Sequence, residues 1–255
     1  MTRVLEGKGA VIVGAAGRIG RAVAEAYLLR GADVLAVDRR GSKLEFEMSD
    51  GKGDGDTGRL TPVVMNITDP EDCRELVKVA RETLKSVDIL VNCPGYIHRA
   101  PFTSHPADQL DELWNANVKT VFFLSQAFGA FMAEQGRGKI INFSSVGGLK
   151  PEVGHSAYCA AKAAVIAFSR VAALELAPRN VQVNIIAPGP TETIPFTSPF
   201  YLEHPEVLRK IEEATPAGRI GHPEDHVGLA VFLASDESRW VTGQVILSDG
   251  GLGLV

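Results

Sequence analysis

Three side chains of types suited to proton transfer lie close together in the sequence. Tyr158 and Lys162 are four residues apart in a segment with helical apolar spacing, so they share one helix face. A phenol ordinarily titrates with a pKa of about 10, and a neighbouring ammonium stabilises the phenolate and lowers that pKa. Ser145 lies at the end of a strand-like run, where its hydroxyl could hold a substrate oxygen. The sequence therefore predicts a tyrosine that moves a proton, assisted by the lysine and the serine.

A glycine-rich turn follows the first apolar run of the chain. The run at 9–13 leads into Gly14-Ala-Ala-Gly-Arg-Ile-Gly20, and residues 18–30 then show helical spacing. Glycine permits a tight turn and a close approach of the backbone to a pyrophosphate. A helix N-terminus adds free N–H groups and the positive end of its dipole, so the pattern predicts a dinucleotide site. Its predicted contact residues are Gly14, Gly17, Arg18, Ile19 and Gly20.

An acidic side chain follows the second strand-like run, at 33–37. Asp38 stands at the place where a carboxylate can accept hydrogen bonds from the adenosine ribose hydroxyls. Because a carboxylate there also repels a 2′-phosphate, NAD is predicted as the preferred cofactor. Arg39 and Arg18 could each meet that phosphate instead, which leaves NADP as the alternative.

Short apolar runs alternate with longer amphipathic segments along the whole chain, with no visible domain boundary. Apolar strands that alternate with helices are typical of a parallel sheet covered on both faces. Right-handed crossovers then predict a Rossmann-like, doubly wound α/β fold of one domain over residues 1–255, with its ligand crevice at the carboxyl ends of the strands. The seven predicted strands are 9–13, 33–37, 62–65, 89–92, 139–143, 181–186 and 244–247, and the predicted helices are 18–30, 70–84, 109–133, 157–177 and 223–234.

Two stretches interrupt this alternation. Residues 42–61 contain an Asp- and Gly-rich run that predicts a surface loop or hairpin. A calcium loop is the alternative, but the spacing of the acidic residues does not fit an EF-hand. Residues 188–221 are rich in Pro and Thr, with a short helical piece at 206–213. A long irregular segment inside a compact domain is usually a binding loop, so a substrate-binding lid is predicted there.

Composition and charge argue against several other functional classes. A chain of 255 residues, 45% of them apolar, can bury a sizeable core. The net charge of −5 argues against a nucleic-acid partner, which would favour clustered Lys and Arg. The apolar runs fall short of the roughly 20 residues of a membrane span, and the first residues do not form an export signal. A cytoplasmic location without nucleic-acid or membrane partners is therefore expected.

The cysteines and two histidines do not favour a metal site. Cys73, Cys93 and Cys159 lack ligand-like spacing and are typical of buried thiols in a reducing compartment. Cys159 is expected to point to a different helix face from the neighbouring tyrosine. His222 and His226 are four residues apart, but a proline follows the first and no third ligand is near, so they are interpreted as a helix N-terminus.

Taken together, these motifs resemble those of the short-chain dehydrogenase/reductase family over essentially the whole chain. The family's Tyr-x-x-x-Lys motif matches Tyr158-Cys-Ala-Ala-Lys162, and its catalytic serine matches Ser145. Its helix asparagine matches Asn117, and in the family this residue helps to hold a water that links the lysine to solvent. The resemblance implies a single Rossmann-like domain, commonly a homotetramer, with the catalytic set Asn117, Ser145, Tyr158 and Lys162.

The resemblance also implies cofactor contacts outside the glycine turn. A Pro-Gly turn that contacts the nicotinamide end in the family resembles Pro188-Gly189, and Thr193 matches the threonine that binds the carboxamide. The remaining implied contacts are Asn66, Ile67, Asn92, Gly95, Tyr158, Lys162 and Thr191.

The sequence departs from the family pattern at three positions. Arg18 replaces the middle glycine of the turn, and Asn66 replaces an aspartate near the adenine. Pro94 follows the fourth strand and removes one backbone N–H. These departures concern the geometry of the cofactor site and leave the catalytic set intact.

These features predict an enzyme that moves a hydride between a nicotinamide and a secondary alcohol or ketone. The substrate is expected to be a small polar sugar, polyol or sugar acid, because His98 and Arg99 follow the fourth strand at the crevice edge. The runs 95–99 and 216–223 also look like those of sugar-acid dehydrogenases. A solvated loop or an oligomer contact is the alternative for His98 and Arg99. The predicted substrate contacts are His98, Arg99, Ser145, His155 and Tyr158, with His155 expected near the substrate mouth.

Two other functions are weighed against this prediction. A 3-oxoacyl-thioester reductase would be expected to use NADP and to carry a basic docking surface for an acidic carrier, and neither is evident in the sequence. A nucleotide-binding regulatory protein without turnover is the second alternative. The intact set of Asn117, Ser145, Tyr158 and Lys162 argues against it.

Overall fold

A computed structural model describes residues 3–39, 44, 57–193 and 203–255 of the chain. The strands are β1 (Gly9–Val13), β2 (Asp33–Asp38), β3 (Leu60–Val64), β4 (Ile89–Asn92), β5 (Gly138–Phe143), β6 (Val181–Pro188) and β7 (Val245–Ser248). They form one parallel sheet in the order β3-β2-β1-β4-β5-β6-β7. The chain winds outward in both directions from the β1–β4 pair, which confirms the doubly wound, seven-stranded prediction.

The helices begin and end where local sequence signals place them. The helices are α1 (Arg18–Leu29), α2 (Pro70–Thr83), α3 (Ala107–Trp114), α4 (Thr120–Gln135), α5 (Ser156–Leu176), α6 (Pro205–Ala214) and α7 (Val227–Ala234). At the start of α2, the Asp69 side chain accepts hydrogen bonds from the backbone N–H groups of Glu71 and Asp72. At the end of α4, Gly136 takes a left-handed conformation with φ of 75°.

The helices cover both faces of the sheet with apolar side chains. On one face α1 packs beside α7, and the buried Tyr27 hydroxyl donates to the Ala230 carbonyl at 2.8 Å. On the other face, Leu76 of α2 and Phe128 of α4 are fully buried against the strands. Burial of each such side chain stabilises the fold by about 1.5–3 kcal/mol. This packing fixes the carboxyl ends of the strands, where the predicted site residues lie.

The predicted helix at 109–133 is divided in the structure. A π-helical turn, Asn115–Lys119, separates α3 from α4. Such a turn adds a residue to the helix and is frequent at functional sites. Asn117 lies in the middle of this turn. Its side chain hydrogen-bonds to the backbone of α3 and to the backbone of the loop after β4. Apolar periodicity continues through the turn, so the pattern alone does not reveal it.

The helix α5 together with the short turn after it, Ser156–Arg179, is long and apolar enough by length and composition to cross a membrane. The expectation that every apolar run falls short of a span is therefore wrong for this segment. A core helix of a soluble protein meets the same criterion. In this fold α5 buries Ala161, Lys162 and Val165 against the rest of the domain.

Two predicted irregular stretches lie partly outside the described residues. These are most of the loop at 42–61 and residues 194–202 of the 188–221 segment. Within the latter segment, the short helix predicted at 206–213 is present as α6. A parallel bridge joins Thr191 to Gly221, so the two ends of the segment lie side by side.

Candidate active site

Tyr158 lies in the first turn of α5, at the carboxyl edge of the sheet. Ser145 hydrogen-bonds to its phenol, and the His155 ring packs edge-on with 6.3 Å between the ring centroids. Burial raises the pKa of Tyr158 to about 12, and the hydrogen bond from Ser145 acts in the opposite direction. The phenol therefore keeps its proton at neutral pH and is suited to donate it.

Lys162 lies one helical turn further along α5 and is 3% exposed. Its Nζ donates to the Phe143 carbonyl at 3.2 Å and lies 5.7 Å from the centre of the Tyr158 ring. Burial lowers the pKa of Lys162 to about 8, with the Cys93 thiol acting in the opposite direction. The prediction that this ammonium lowers the Tyr158 pKa is wrong for this geometry. The ammonium bonds to a backbone carbonyl, and burial of the phenol dominates its pKa.

Ser145 is held in place by a tight turn between β5 and α5. Its Oγ accepts a hydrogen bond from the Gly147 N–H at 3.1 Å. The neighbouring Ser144 donates from Oγ to the Lys162 carbonyl at 2.8 Å. A Cβ on Gly148 would lie 2.9 Å from the Lys162 carbonyl carbon, so only glycine allows the turn to press this closely against α5. The turn thereby brings the serine hydroxyl to the phenol.

Asn117 uses its side chain to fix the loop after β4. Its Oδ1 accepts from the Tyr96 N–H at 3.3 Å, and its Nδ2 donates to the Tyr96 carbonyl at 2.7 Å. The same Nδ2 donates to the Leu113 carbonyl at 3.0 Å, a carbonyl exposed by the π-helical turn. Asn117 is fully buried, close to the predicted contact Gly95, whose added Cβ would lie 3.9 Å from Oδ1.

The glycine turn after β1 depends on the absence of side chains. Gly14 has a φ of +84°, and a Cβ there would lie 2.6 Å from the Cys93 carbonyl oxygen. A Cβ on Gly20 would collide with the Gly14 carbonyl. The Gly17 N–H donates to that same carbonyl at 3.1 Å and closes the turn. The backbone of the turn is thus packed between α1 and the chain after β4.

The first turn of α1 fits an anionic group. Gly17 is its N-cap, so no side chain there satisfies the first N–H groups, and the turn contains no acidic residue. The N–H groups of Arg18, Ile19 and Gly20 precede the first intrahelical bond, which Arg21 makes to Gly17. The side chain of Ile19 packs on the core instead, which leaves its backbone facing the crevice. Free N–H groups and the helix dipole suit the pyrophosphate of a dinucleotide.

Asp38 ends β2 beside this turn. Its carboxylate accepts hydrogen bonds from the backbone N–H groups of Ala16 at 2.9 Å and Arg39 at 2.8 Å. These bonds hold the carboxylate at the place predicted for a ribose contact. Arg39 is exposed, whereas Arg18 turns to the β6 side and its Nη1 donates to Glu192 Oε1 at 3.0 Å. Arg18 is therefore engaged away from the ribose end of the site.

The side chain of Asn92 lies in the interior beneath the site, and the predicted contact of this residue with the cofactor stays a prediction. Its side chain is fully buried, and Nδ2 donates to Asn142 Oδ1 at 2.8 Å and to Ser125 Oγ at 3.3 Å. Asn142 in turn donates to Ser169 at 2.8 Å. This polar chain joins β4, β5, α4 and α5 beneath the site, so the side chain of Asn92 has a structural role.

Thr191 and His226 form a buried pair that the sequence analysis missed. The Thr191 hydroxyl donates to the Gly189 carbonyl at 2.9 Å and lies 2.9 Å from Nε2 of His226. The Nδ1 of His226 lies 2.8 Å from the hydroxyl of Ser248 in β7, and the ring is 1% exposed. Burial lowers the pKa of His226. Both histidines lie at helix N-termini, as predicted: His222 precedes the short 3₁₀ turn Pro223–His226, and His226 directly precedes α7. The ring of His226 also ties the chain after β6 to β7.

The other predicted cofactor contacts lie along the carboxyl edge. Pro188 ends β6, and a Cβ on Gly189 would lie 2.7 Å from the Cα of Asp249. Thr193 is half-buried, and Asn66 is exposed just after β3. The Thr120 hydroxyl donates to the Ile67 carbonyl at 3.4 Å.

Arg99 borders an open cleft at the N-terminus of α5, the helix that carries Tyr158. The cleft has a volume of about 640 Å³ and lies between residues 99–102 after β4 and residues 152–156 before α5. The Gly154 carbonyl accepts from the Ala100 N–H at 3.0 Å, which holds its two walls together. A Cβ on Gly154 would lie 3.0 Å from Nε of Arg99, so the guanidinium packs directly on this wall. The opposite charge of Glu152 lies in the same cleft.

His155 and His98 do not line this cleft as expected of substrate contacts. His155 is 6% exposed, and its Nδ1 lies 3.3 Å from Glu152 Oε1. That contact, more than the nearby Arg99 charge, lowers the pKa of Glu152. His98 packs edge-on against His105 with 5.5 Å between the ring centroids. The ring of His155 is buried beside Tyr158, so its place near the substrate mouth stays a prediction.

Two thiols lie closer to the site than their spacing suggested. A Cβ on Gly147 would be 3.5 Å from the Cys159 sulfur, 3.6 Å from Ser145 Oγ and 3.7 Å from Cε1 of Tyr158. Cys159 thus approaches the turn that carries Ser145, although it follows Tyr158 directly in the helix and points to a different face. Burial raises the pKa of the Cys93 thiol to about 12, which makes it unreactive at neutral pH.

Comparison with known proteins gives one consistent family. A family model described as enoyl-(acyl carrier protein) reductase matches residues 14–253. The chain is 39% identical over 249 residues to the 3-oxoacyl-(acyl-carrier-protein) reductase of Thermotoga maritima, covering 97% of this chain and 98% of that protein. It is 32% identical over 244 residues to an NAD-dependent glycerol dehydrogenase of Listeria innocua, covering 96% of this chain and 93% of that protein.

A solved structure matches the whole chain. It is that of a candidate NAD(P)-dependent gluconate 5-dehydrogenase from Beutenbergia cavernae with bound NADP. The TM-score is 0.90, the sequence identity is 36%, and the match covers 100% of both chains. The relatives therefore share one fold and differ in the substrates that their names give.

Proposed function

The chain belongs to the short-chain dehydrogenase/reductase family of oxidoreductases, and we propose that it interconverts a secondary alcohol and a ketone with Tyr158 as the proton-transfer residue. One observation carries this proposal. The Tyr158 phenol is buried, hydrogen-bonded to Ser145 and one helical turn from Lys162, at the same sheet edge as the glycine turn. When bound, a nicotinamide dinucleotide supplies or accepts the hydride.

In the reducing direction, Tyr158 donates its proton to the carbonyl oxygen of the substrate. Ser145 donates a hydrogen bond to the same oxygen and fixes its position. The high pKa of Tyr158 keeps the phenol protonated for this step, and burial in an apolar environment strengthens both hydrogen bonds. In the oxidising direction, the phenolate of Tyr158 accepts the proton of the alcohol, so that rate rises with pH as the phenolate fraction increases.

Lys162 and Asn117 serve as supporting residues in this proposal. We propose that the Lys162 ammonium, 5.7 Å from the centre of the ring, offsets part of the negative charge that develops on the phenol as its proton leaves, whereas burial dominates the pKa of the resting phenol. Its bond to the Phe143 carbonyl fixes it beside the ring. Asn117 holds the loop after β4 and the π-helical turn, and we expect a water beside it to link Lys162 to solvent.

The cofactor is proposed to be NAD in preference to NADP. The support is the position of the Asp38 carboxylate, fixed by two backbone N–H groups beside the glycine turn. The proposed contacts are the backbone of residues 14–20, Asp38, and the chain at Pro188, Gly189 and Thr193. The solved relative with bound NADP represents the opposite outcome. Comparing kcat/KM for the two cofactors decides between them.

The substrate is proposed to be a small polar hydroxy or keto compound, in particular a sugar acid. Arg99 supports an anionic group, because it lines the cleft at the N-terminus of α5, the helix that carries Tyr158. Glu152 in the same cleft supports hydroxyl contacts. The gluconate 5-dehydrogenase relative is consistent with this chemistry.

A 3-oxoacyl-thioester reductase is the second candidate, and a structural observation favours it too. Phe102 is 83% exposed and Val153 is 89% exposed, and both line the same cleft. An apolar rim of this kind suits an acyl chain better than a sugar. The Thermotoga maritima relative bears the name of this activity.

A panel of aldonates, uronates, free sugars, polyols and 3-oxoacyl thioesters, assayed with both nicotinamides, separates these functions. Activity with aldonates or uronates supports the sugar-acid proposal, and Arg99→Ala should then raise KM for the anionic substrate. Activity confined to acyl thioesters would overturn it. Failure with every substrate, combined with tight dinucleotide binding, would favour a regulatory protein. The same proposal includes a cytoplasmic location and a homotetramer. Sedimentation equilibrium can check the homotetramer.

A further inference from the structure

Glu192 connects two sides of the proposed dinucleotide site. Arg18 Nη1 donates to its Oε1 at 3.0 Å and to its backbone carbonyl at 3.3 Å. The other carboxylate oxygen lies 3.2 Å from Nδ1 of His222. The Glu192 N–H donates to the Gly221 carbonyl at 2.8 Å, which fixes the backbone that presents the carboxylate. Arg18 holds the pKa of Glu192 below its ordinary value, so the pair is charged at neutral pH.

The topology places this contact across the crevice. Arg18 belongs to the turn after β1, and Glu192 belongs to the chain after β6. In the sheet, β4 and β5 lie between those two strands. Three strand spacings amount to roughly 14 Å, so the pair joins segments that diverge by that distance where they leave the sheet. The carboxyl ends of β4 and β5 lie in the interval.

We propose that the Arg18–Glu192 pair is a latch that retains the bound dinucleotide. This inference rests on the proposed function. A dinucleotide that reaches from Asp38 to Tyr158 must pass the glycine turn and then the ends of β4 and β5. The pair joins the glycine turn to the segment that borders the nicotinamide end. Release of the dinucleotide therefore requires the pair to separate.

A competing role of Glu192 would change the release of the dinucleotide in the opposite direction. If Glu192 only competes with the pyrophosphate for Arg18, its removal would free the guanidinium and tighten binding. In the latch, its removal breaks the contact across the crevice and speeds release. Both residues are about two-fifths exposed, so the pair is screened by salt. An exposed ion pair of this kind corresponds to a change of about two- to fivefold in a rate constant.

The test measures NADH release by stopped-flow fluorescence, with excess NAD as the chase. The variants are Glu192→Gln, Arg18→Gln and the double variant, each in the full-length protein. Glu71→Gln is the matched control, because Glu71 pairs with Arg74 on α2 outside the crevice. We expect Glu192→Gln to raise the dissociation rate constant about two- to fivefold. Arg18→Gln should change the dissociation rate constant less in the Glu192→Gln background than in wild type. Added salt should speed the release of NADH mainly in wild type.

Three outcomes would overturn the latch. An unchanged or lower dissociation rate constant for Glu192→Gln would show that the carboxylate is neutral or a competitor. An effect of Arg18→Gln that is equal in both backgrounds would show that the two residues act independently. Failure of wild type to bind either NADH or NADPH would overturn the proposed function and the latch together, whereas normal binding with unchanged release overturns the latch alone.

Discussion

The two halves of the crevice depend on different parts of the chain, the backbone in one half and the side chains in the other. In the half next to β1 and β2, the geometry is set by the backbone. Gly14 and Gly20 leave no room for a Cβ, and backbone N–H groups fix the Asp38 carboxylate. In the half next to β5 and α5, side chains set the properties of the site. Burial raises the pKa of Tyr158 to about 12 and lowers that of Lys162 to about 8.

This difference separates binding from chemistry. A steric change in the first half should disturb the shape that receives the dinucleotide and leave the proton chemistry intact. A change of one polar atom in the second half should stop the chemistry and leave the shape intact. The comparison would fail if either kind of change produced both effects. Each of the following variants is directed at one half.

The largest effect is expected for Tyr158→Phe. The variant removes the proton that moves in the chemical step, while the ring still packs against His155. A general acid or base contributes about 10²–10⁴-fold, so kcat should fall by at least a hundredfold. The Kd for NADH, measured by fluorescence titration, should stay within about twofold of wild type. Retention of more than about one hundredth of the wild-type rate would contradict the proton-transfer role.

The backbone half is also the half that the sequence predicts best. The turn at residues 14–20 is predictable because glycines with this spacing between a strand and a helix are typical of a dinucleotide-binding turn. The doubly wound parallel sheet follows from the alternation of elements and from right-handed crossovers. Asp38 is found where the end of the second strand predicts it.

Burial and pairing in the side-chain half are harder to predict. Asn92, His155 and His226 are polar residues next to functional motifs, and all three are buried against other parts of the chain. Asn142 and Ser248, the partners of Asn92 and His226, are distant in sequence. The pKa of Tyr158 depends on the same packing, and a rule based on i,i+4 spacing misses it. The π-helical turn at Asn117 likewise interrupts an apolar pattern that continues unchanged.

The next largest effect is expected for Gly20→Ala, in the backbone half. The added methyl group collides with the Gly14 carbonyl, and overpacking of this kind destabilises a fold by about 1–3 kcal/mol. Because the turn must shift, the Kd for NADH should rise as the melting temperature falls. Gly228→Ala is the matched control, since Gly228 lies in α7 and its added Cβ meets nothing within 4 Å. An unchanged NADH affinity in Gly20→Ala would show that the turn does not shape the site.

A smaller effect is expected for Asp38→Ala, which changes charge in the backbone half. Loss of the carboxylate removes a ribose acceptor and the repulsion of a 2′-phosphate. The ratio of kcat/KM for NAD to that for NADP should fall several-fold, with kcat for the better cofactor nearly unchanged. If wild type already prefers NADP and the variant alters little, Arg39 determines the preference. Arg39→Ala would then be the informative second variant.

The last prediction concerns the stability that the side-chain half contributes at different pH. The pKa of Lys162 is about 8 in the fold and 10.5 in its ordinary state. Between these values the unfolded chain binds a proton that the folded chain has lost, so this group raises stability as pH increases through that window. Below pH 8 the buried ammonium is charged in both states and opposes folding through desolvation.

Lys162→Met removes this dependence on pH. The melting temperature of the variant should therefore exceed that of wild type by more at pH 7.5 than at pH 10. Lys139→Met is the control, because burial also lowers the pKa of Lys139 to about 8, on β5 and bonded to Ser238 rather than beside the tyrosine. Both variants should show the same sign of the pH effect in thermal unfolding, but only Lys162→Met should lose turnover. A gap that widens with pH would mean that Lys162 is stabilised as an ammonium in the fold. The side-chain half would then hold a charged lysine through contacts that outweigh its desolvation, and its role in assisting Tyr158 would extend to alkaline pH.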